Sequence, residues 1–174
     1  MRKSVSFVLL SAAIVVAGQY VRKAMATPAS LGFVGTTLAV GQLDEVPMSF
    51  HQVTAQGAPP WLSMQFVKGL SDLYVQSNVW QPGAHTGWHS HPGHSLIIVT
   101  AGSLTNYESS EPDCKPAVYK QGMAFVDEGG AHVHNIRNET GGVASTVAVQ
   151  LIPASAQRRV DAPQPANCPS FPVF

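Results

Sequence analysis

Six of the chain's seven histidines fall in two short stretches. The first, Gly83 to Gly102 (GAHTGWHSHPGHSLIIVTAG), holds His85, His89, His91 and His94; the second, DEGGAHVHNIRN, holds His132 and His134. Only His51 lies outside them. In a strand, side chains at i and i+2 point to the same face. His89 and His91 can therefore aim two imidazoles at one point, and His132 with His134 can do the same from a second strand. Neutral imidazole is a common ligand of Zn, Fe, Cu and Ni, so the chemistry on offer is the binding of one divalent metal. The plainer reading is a set of surface or satisfied core histidines. Two pairs on apolar strands, with no histidine-rich tag, weigh against it.

The elements around these pairs read as short strands. Thr36 to Leu43 is a first strand and a candidate arm, Ala55 to Pro60 a linker, and Leu62 to Val67 and Asp72 to Trp80 two further strands. Gln81-Pro82-Gly83 breaks the last of these with turn chemistry, and Gly87 to His91 carries the first histidine pair up to the Pro92-Gly93 turn. Ser95 to Thr100 (SLIIVT) is apolar on both faces, as a strand covered on both sides should be. Leu104 to Glu108, Ala117 to Lys120, Met123 to Asp127, His132 to Arg137 and Val143 to Ile152 follow, separated by turns. Trp61 and Trp80 read as core aromatics. No segment from Leu62 to Pro153 reads as a helix, so an all-β antiparallel barrel or jelly roll is expected.

Composition agrees. The chain has 15 Gly and 13 Pro and only 11% charged residues, a mix that suits short strands and many turns. Residues 1–26 read as an export signal, with Arg2 and Lys3 before a largely apolar Val5 to Gly18 run and an A-x-A site at Ala24 to Ala26. That run is shorter than the roughly 20 residues a spanning helix needs. Arg22 and Lys23, placed between the run and the cleavage site, keep an uncleaved N-terminal membrane anchor open as the alternative to a secreted or periplasmic protein. Without the segment, six basic residues face ten acidic ones, a net of −4 with His neutral. No basic patch for nucleic acid is left. In an oxidising compartment Cys114 and Cys168, the only cysteines, are expected to pair. The organisation expected is a signal at 1–26, an arm and linker at 27–60, a barrel at 61–153 and a Pro-rich tail at 154–174. A homodimer formed through the arm is one expectation for the assembly.

The spacing also resembles the first signature of the cupin superfamily, Gly-x5-His-x-His-x3-Glu-x6-Gly. Gly83, His89, His91 and Gly102 stand at the right offsets, with Ser95 in the glutamate position. Gly122 to Asn138 is similar to the second signature, Gly-x5-Pro-x-Gly-x2-His-x3-Asn. There the run from Gly122 to His134 is one residue longer and Glu128 stands where proline belongs. The resemblance covers roughly Leu62 to Pro153. It implies a cupin-type barrel (double-stranded β-helix) with His89, His91 and His134 as metal ligands. His134 is preferred to His132 for its relation to Asn138. His132 stays a rival or supporting residue, and His94 a further candidate.

Ser95 is a poor ligand, so a three-histidine site that keeps the full +2 charge is expected, as in some thiol and diketone dioxygenases of the superfamily. Such a site favours an anionic ligand or an acidified bound water. Three imidazoles do not choose among Fe, Zn, Mn, Ni and Cu. Two functions remain: a metal-dependent, dioxygenase-like oxidoreductase on a small organic molecule, and a non-catalytic module holding a metal or small ligand. Catalytic residues are not assigned; His85, Tyr107 and Glu108 are candidates for an acid or base.

Overall fold

The computed structural model describes residues 30–53, 57, 59 and 61–171. The expected signal segment and most of the Ala55 to Pro60 linker lie outside these residues. Within them the chain is almost wholly strand: β1 (Leu31–Leu43), β2 (Val46–Val53), β3 (Trp61–Val67), β4 (Ser71–His85), β5 (His89–Ser90), β6 (Ser95–Ala101), β7 (Ser103–Glu108), β8 (Ala117–Lys120), β9 (Ala124–Asp127), β10 (His134–Arg137), β11 (Ala144–Pro153) and β12 (Val160–Asp161). A single 3-10 turn, Pro112–Cys114, interrupts the series.

All pairings are antiparallel. One side of a nearly closed barrel runs β1-β4-β11-β6-β9, the other β12-β5-β10-β7-β8. β4 joins the two. Residues 71–80 pair with β1 and β11, and His85 then pairs with Arg137 of β10. The expected break at Gln81-Pro82-Gly83 is therefore a bend within one strand. Gly83 takes φ +77° there, a conformation glycine adopts without a Cβ penalty.

Alternation sorts the side chains. On β6, Ser95, Ile97 and Val99 are buried and Leu96 and Ile98 face out. This corrects the expectation that both faces of SLIIVT are covered, since Leu96 and Ile98 are about half exposed. The core packs Trp80, Ile97, Val99, Leu104, Phe125 and Ile136 together, with Phe33 of the arm against Trp80 at 4.3 Å between ring centroids. Each such side chain, buried, contributes about 1.5–3 kcal/mol.

Asn138, fully buried, is the hinge between the two sides. Its amide nitrogen donates to the carbonyls of Trp80, Gln81 and Gly142, and its side-chain oxygen accepts from the backbone N–H and hydroxyl of Thr140. Its place four residues after His134 thus follows from closing a corner of the barrel.

β2 and β3 depart from expectation. They form a separate two-stranded sheet, so Trp61–Val67 is not a barrel strand, and Trp61 is exposed rather than a core aromatic. The tail crosses back over the barrel, where β12 pairs with β5. Cys168 is bonded to Cys114 in a buried cluster with Trp88, lined by Tyr107, Val133 and Phe171.

Candidate metal centre

β5 is only two residues long, and His91 lies just past its end. What aligns the first pair is therefore partly the strand and partly the loop. His89 is held because its Cα partner across the strand pair is His134 of β10, and directly opposed side chains in antiparallel strands lie about 5 Å apart at Cβ. His91 is held from two sides: its carbonyl accepts from Gly130 N–H at 2.7 Å, and its ring contacts the tail. The result is a cluster in which the nitrogens of His89, His91 and His134 lie within 4.8 Å of one another.

The hydrogen bonds fix which nitrogen of each ring is free. His89 Nδ1 is 2.9 Å from the Gly87 carbonyl. His91 Nδ1 is 2.5 Å from the Arg158 carbonyl. His134 Nδ1 is 3.4 Å from Asp127 Oδ1. Carbonyl and carboxylate oxygens can only accept, so Nδ1 of His89 and of His134 carries the proton and Nε2 presents a bare lone pair; His91 makes its shorter contact at Nδ1 as well, with Asp127 Oδ2 3.4 Å from its Nε2. Gln150 Nε2, 3.1 Å from His91 Nδ1, cannot also donate there.

His89 Nε2 and His134 Nε2 then face each other at 3.1 Å. Two lone pairs at that distance repel unless a cation lies between them. Histidine nitrogens bind such ions at about 2.0–2.1 Å, so two nitrogens at this separation could share one ion. Supporting acceptors on Nδ1 are what metal-bound histidines ordinarily have. The residues present thus suit a divalent ion, and the three-histidine cluster is consistent with metal binding.

Burial, then the neighbouring His134, Arg159 and His91, pushes His89 far below the usual histidine range. Burial also lowers His91, against the opposing pull of the Arg158 carbonyl and Asp127. Both rings are neutral at pH 7, the form a metal requires.

The structure separates the second histidine pair. β10 begins at His134, so His132 sits in the preceding turn, where strand parity does not apply. Its Nε2 reaches Glu128 at 3.1 Å. His94 is exposed, in a surface depression with Phe66, Leu70 and Ile152. Neither joins the cluster. Of the acid and base candidates, His85 accepts from Gly87 N–H, Glu108 accepts from Asn106, and Tyr107 donates to Glu139 beside Phe171. Burial, followed by Glu139, pushes the Tyr107 hydroxyl up to about 12. None of the three lines the cavity at the cluster.

One carboxylate does, and the sequence reading missed it. Asp127 on β9 is the register partner of Ser95 on β6, with Ser95 Oγ 3.5 Å from Asp127 Oδ2. The carboxylate that the first signature puts on β6 thus sits one strand over. Its Oδ2 is also 3.4 Å from His91 Nε2. Burial alone would raise this carboxyl; the hydrogen bond and charge of His134, the charge of His91 and the Gly129 N–H outweigh it and hold it below the usual range. Gly129 has φ +70°, and a Cβ there would meet the Gly93 carbonyl oxygen at 2.2 Å, so the turn that clasps Asp127 needs glycine. The expected site with an uncompensated +2 charge is corrected accordingly: a negative charge touches two of its three histidines. The signal was available, because Phe125 and Asp127 share a strand face.

The cluster opens into a cavity of about 250 Å³. Phe33, Trp80, Ile97, Ile136 and Ala148 form its apolar wall, and Gln76, Asn78, Gln150, Arg158 and Arg159 its polar one.

A nearly closed antiparallel barrel, with the first histidine pair entering at β5 and the third histidine opposite on β10, is the cupin architecture. By fold the chain is a cupin-type antiparallel β-barrel. No family model matches the sequence, and no curated protein sequence matches it. Solved structures similar in part include a protein with a double-stranded β-helix domain from Klebsiella pneumoniae, 20% identical with a TM-score of 0.44 over 53% of this chain and 76% of that one. A cupin superfamily protein from Desulfitobacterium hafniense is 12% identical, with a TM-score of 0.39 over 46% and 67%. An oxalate oxidase is 20% identical with a TM-score of 0.40; the match spans 47% of this chain and less than half, 46%, of that one.

Proposed function

We propose that this chain is an exported, metal-dependent cupin that binds a small organic molecule beside a three-histidine centre and acts on it as a dioxygenase-like enzyme. The observation that carries the reading is the pair of facing Nε2 lone pairs of His89 and His134, with His91 Nε2 completing the set. A divalent ion bound there would supply Lewis acidity and open coordination positions. The chain's own part is to keep three neutral imidazoles aimed inward, to hold His134 through Asp127, and to enclose a small molecule between an apolar and a polar wall. The disulfide supports an oxidising compartment. Among the described residues, no helix is long and apolar enough to cross a membrane.

A second reading, a non-catalytic binding module, is favoured by one observation: none of His85, Tyr107 and Glu108 lines the cavity. Elemental analysis of purified protein tests the centre, with one divalent ion per chain expected. Oxygen uptake against thiols, diketones and flavonols then separates the two readings. Uptake with any of them supports the enzyme, and ligand binding without uptake supports the module.

A further inference from the structure

Arg158 and Arg159 are consecutive, yet both line the cavity. In a strand they would point to opposite faces; a bend at Arg158, just before β12, lets them converge. The tail that carries them is anchored downstream by the Cys114–Cys168 bond.

Arg158 is latched by neutral acceptors alone. It donates to Gln150 Oε1 at 2.9 Å, Gln76 Oε1 at 2.7 Å and Thr37 Oγ1 at 3.3 Å, and its guanidinium lies 4.1 Å above the Tyr74 ring. Among the described residues no carboxylate pairs with it. Arg159 donates to the Thr86 carbonyl at 2.8 Å and meets Asp161, itself largely exposed, at 2.6 Å. Among the described residues the one carboxylate lining the cavity, Asp127, accepts from Gly129 N–H and lies 3.4 Å from His134 Nδ1. The cavity therefore holds two guanidiniums and one committed carboxylate, before any metal adds its charge. Desolvation lowers the Arg158 pKa, as expected of a partly buried cation without an anion.

We propose that the cavity binds a small organic acid, its carboxylate held by Arg159 and Arg158 and its apolar body against Phe33, Trp80 and Ile97, with its inner end toward the three Nε2 atoms. This deepens the proposed function and rests on it for the last clause only. Charge-assisted bonds from guanidinium to carboxylate are the strong ones among neutral and ionic alternatives. The apolar wall argues for a hydrocarbon or aromatic body over an inorganic anion. The volume of about 250 Å³ exceeds the roughly 150 Å³ of a cavity that takes up benzene, so an acid with a single ring fits.

The test measures benzoate and benzamide binding by calorimetry, on metal-loaded and metal-stripped protein, with metal content read separately. Benzoate is expected to bind about 10- to 100-fold more tightly than benzamide, as one charged hydrogen-bonded contact allows. Arg159→Gln should abolish that preference with metal content unchanged, and Arg159→Lys should restore part of it. If the preference persists in stripped protein and still depends on Arg159, the acid site stands even where the metal reading fails. A preference that survives Arg159→Gln and vanishes on stripping puts the carboxylate on the metal and overturns the proposal. Equal binding of benzoate and benzamide, or binding of neither, overturns it as well.

Discussion

His89/His91 and His132/His134 have the same spacing and different fates. In the first pair both rings enter the cluster. In the second only His134 does, while His132 turns out to Glu128. The difference lies in what surrounds each pair. His91 lies outside its short strand but is caught by Gly130 N–H and the Arg158 carbonyl. His132 also lies outside a strand, and its ring is left to an exposed glutamate in the same turn. An i, i+2 pair converges only where both members are in a strand or where other elements impose the strand-like direction.

Metal stoichiometry after single substitutions gives the largest expected contrast. His89→Ala, His91→Ala or His134→Ala should each lose most of the bound ion, since each removes one of three ligands. His132→Ala should retain it. Retention of one full equivalent in all of the first three would mean that the ion, if any, sits elsewhere.

The tail's part in holding His91 can be tested through the disulfide. The bond closes a loop with a sequence separation of 54, for which chain entropy allows on the order of 3–4 kcal/mol. Cys114→Ser should lower the unfolding midpoint in a thermal melt and weaken metal binding, because the Arg158 carbonyl is then less firmly placed. An unchanged melt would show that the tail is held by its other contacts.

Asp127→Asn leaves the shape and removes the charge beside His134. A weakening of metal affinity by about 10- to 100-fold is expected, the usual cost of losing a partner that orients a ligand. A titration monitored by Co(II) absorption would measure it, and affinity within twofold of wild type would reduce Asp127 to a packing role.

The smallest effect is the dependence on pH. Burial lowers His89 and His91 from an ordinary value of 6.5. The unfolded chain therefore binds more protons than the folded one below that value, and folding stability falls as pH drops below about 6.5. In metal-free protein, denaturation midpoints from pH 7.5 to 5 should follow that slope. His89→Ala should flatten it.

The cluster was legible in the sequence because its signal is periodic. The spacing of two singled out His89 and His91, the relation to Asn138 singled out His134 over His132, and the signature offsets of Gly83, His89, His91 and Gly102 add the barrel. Parity could also have found Asp127, since Phe125 and Asp127 share a face. Which strand lies beside β6 could not be read in the same way, and only the β6–β9 register sets Asp127 opposite Ser95.

Other features have no periodic trace. Trp61 is apolar by type, but β2–β3 pair with each other rather than with the barrel, so it stays exposed. Arg158 and Arg159 sit in an irregular tail whose path is set by a distant disulfide, a bend and hydrogen bonds to β1, β4 and β11. Local alternation determined which residues face inward along each strand. The tertiary structure decided which inward faces meet, because that depends on contacts between segments far apart in the chain.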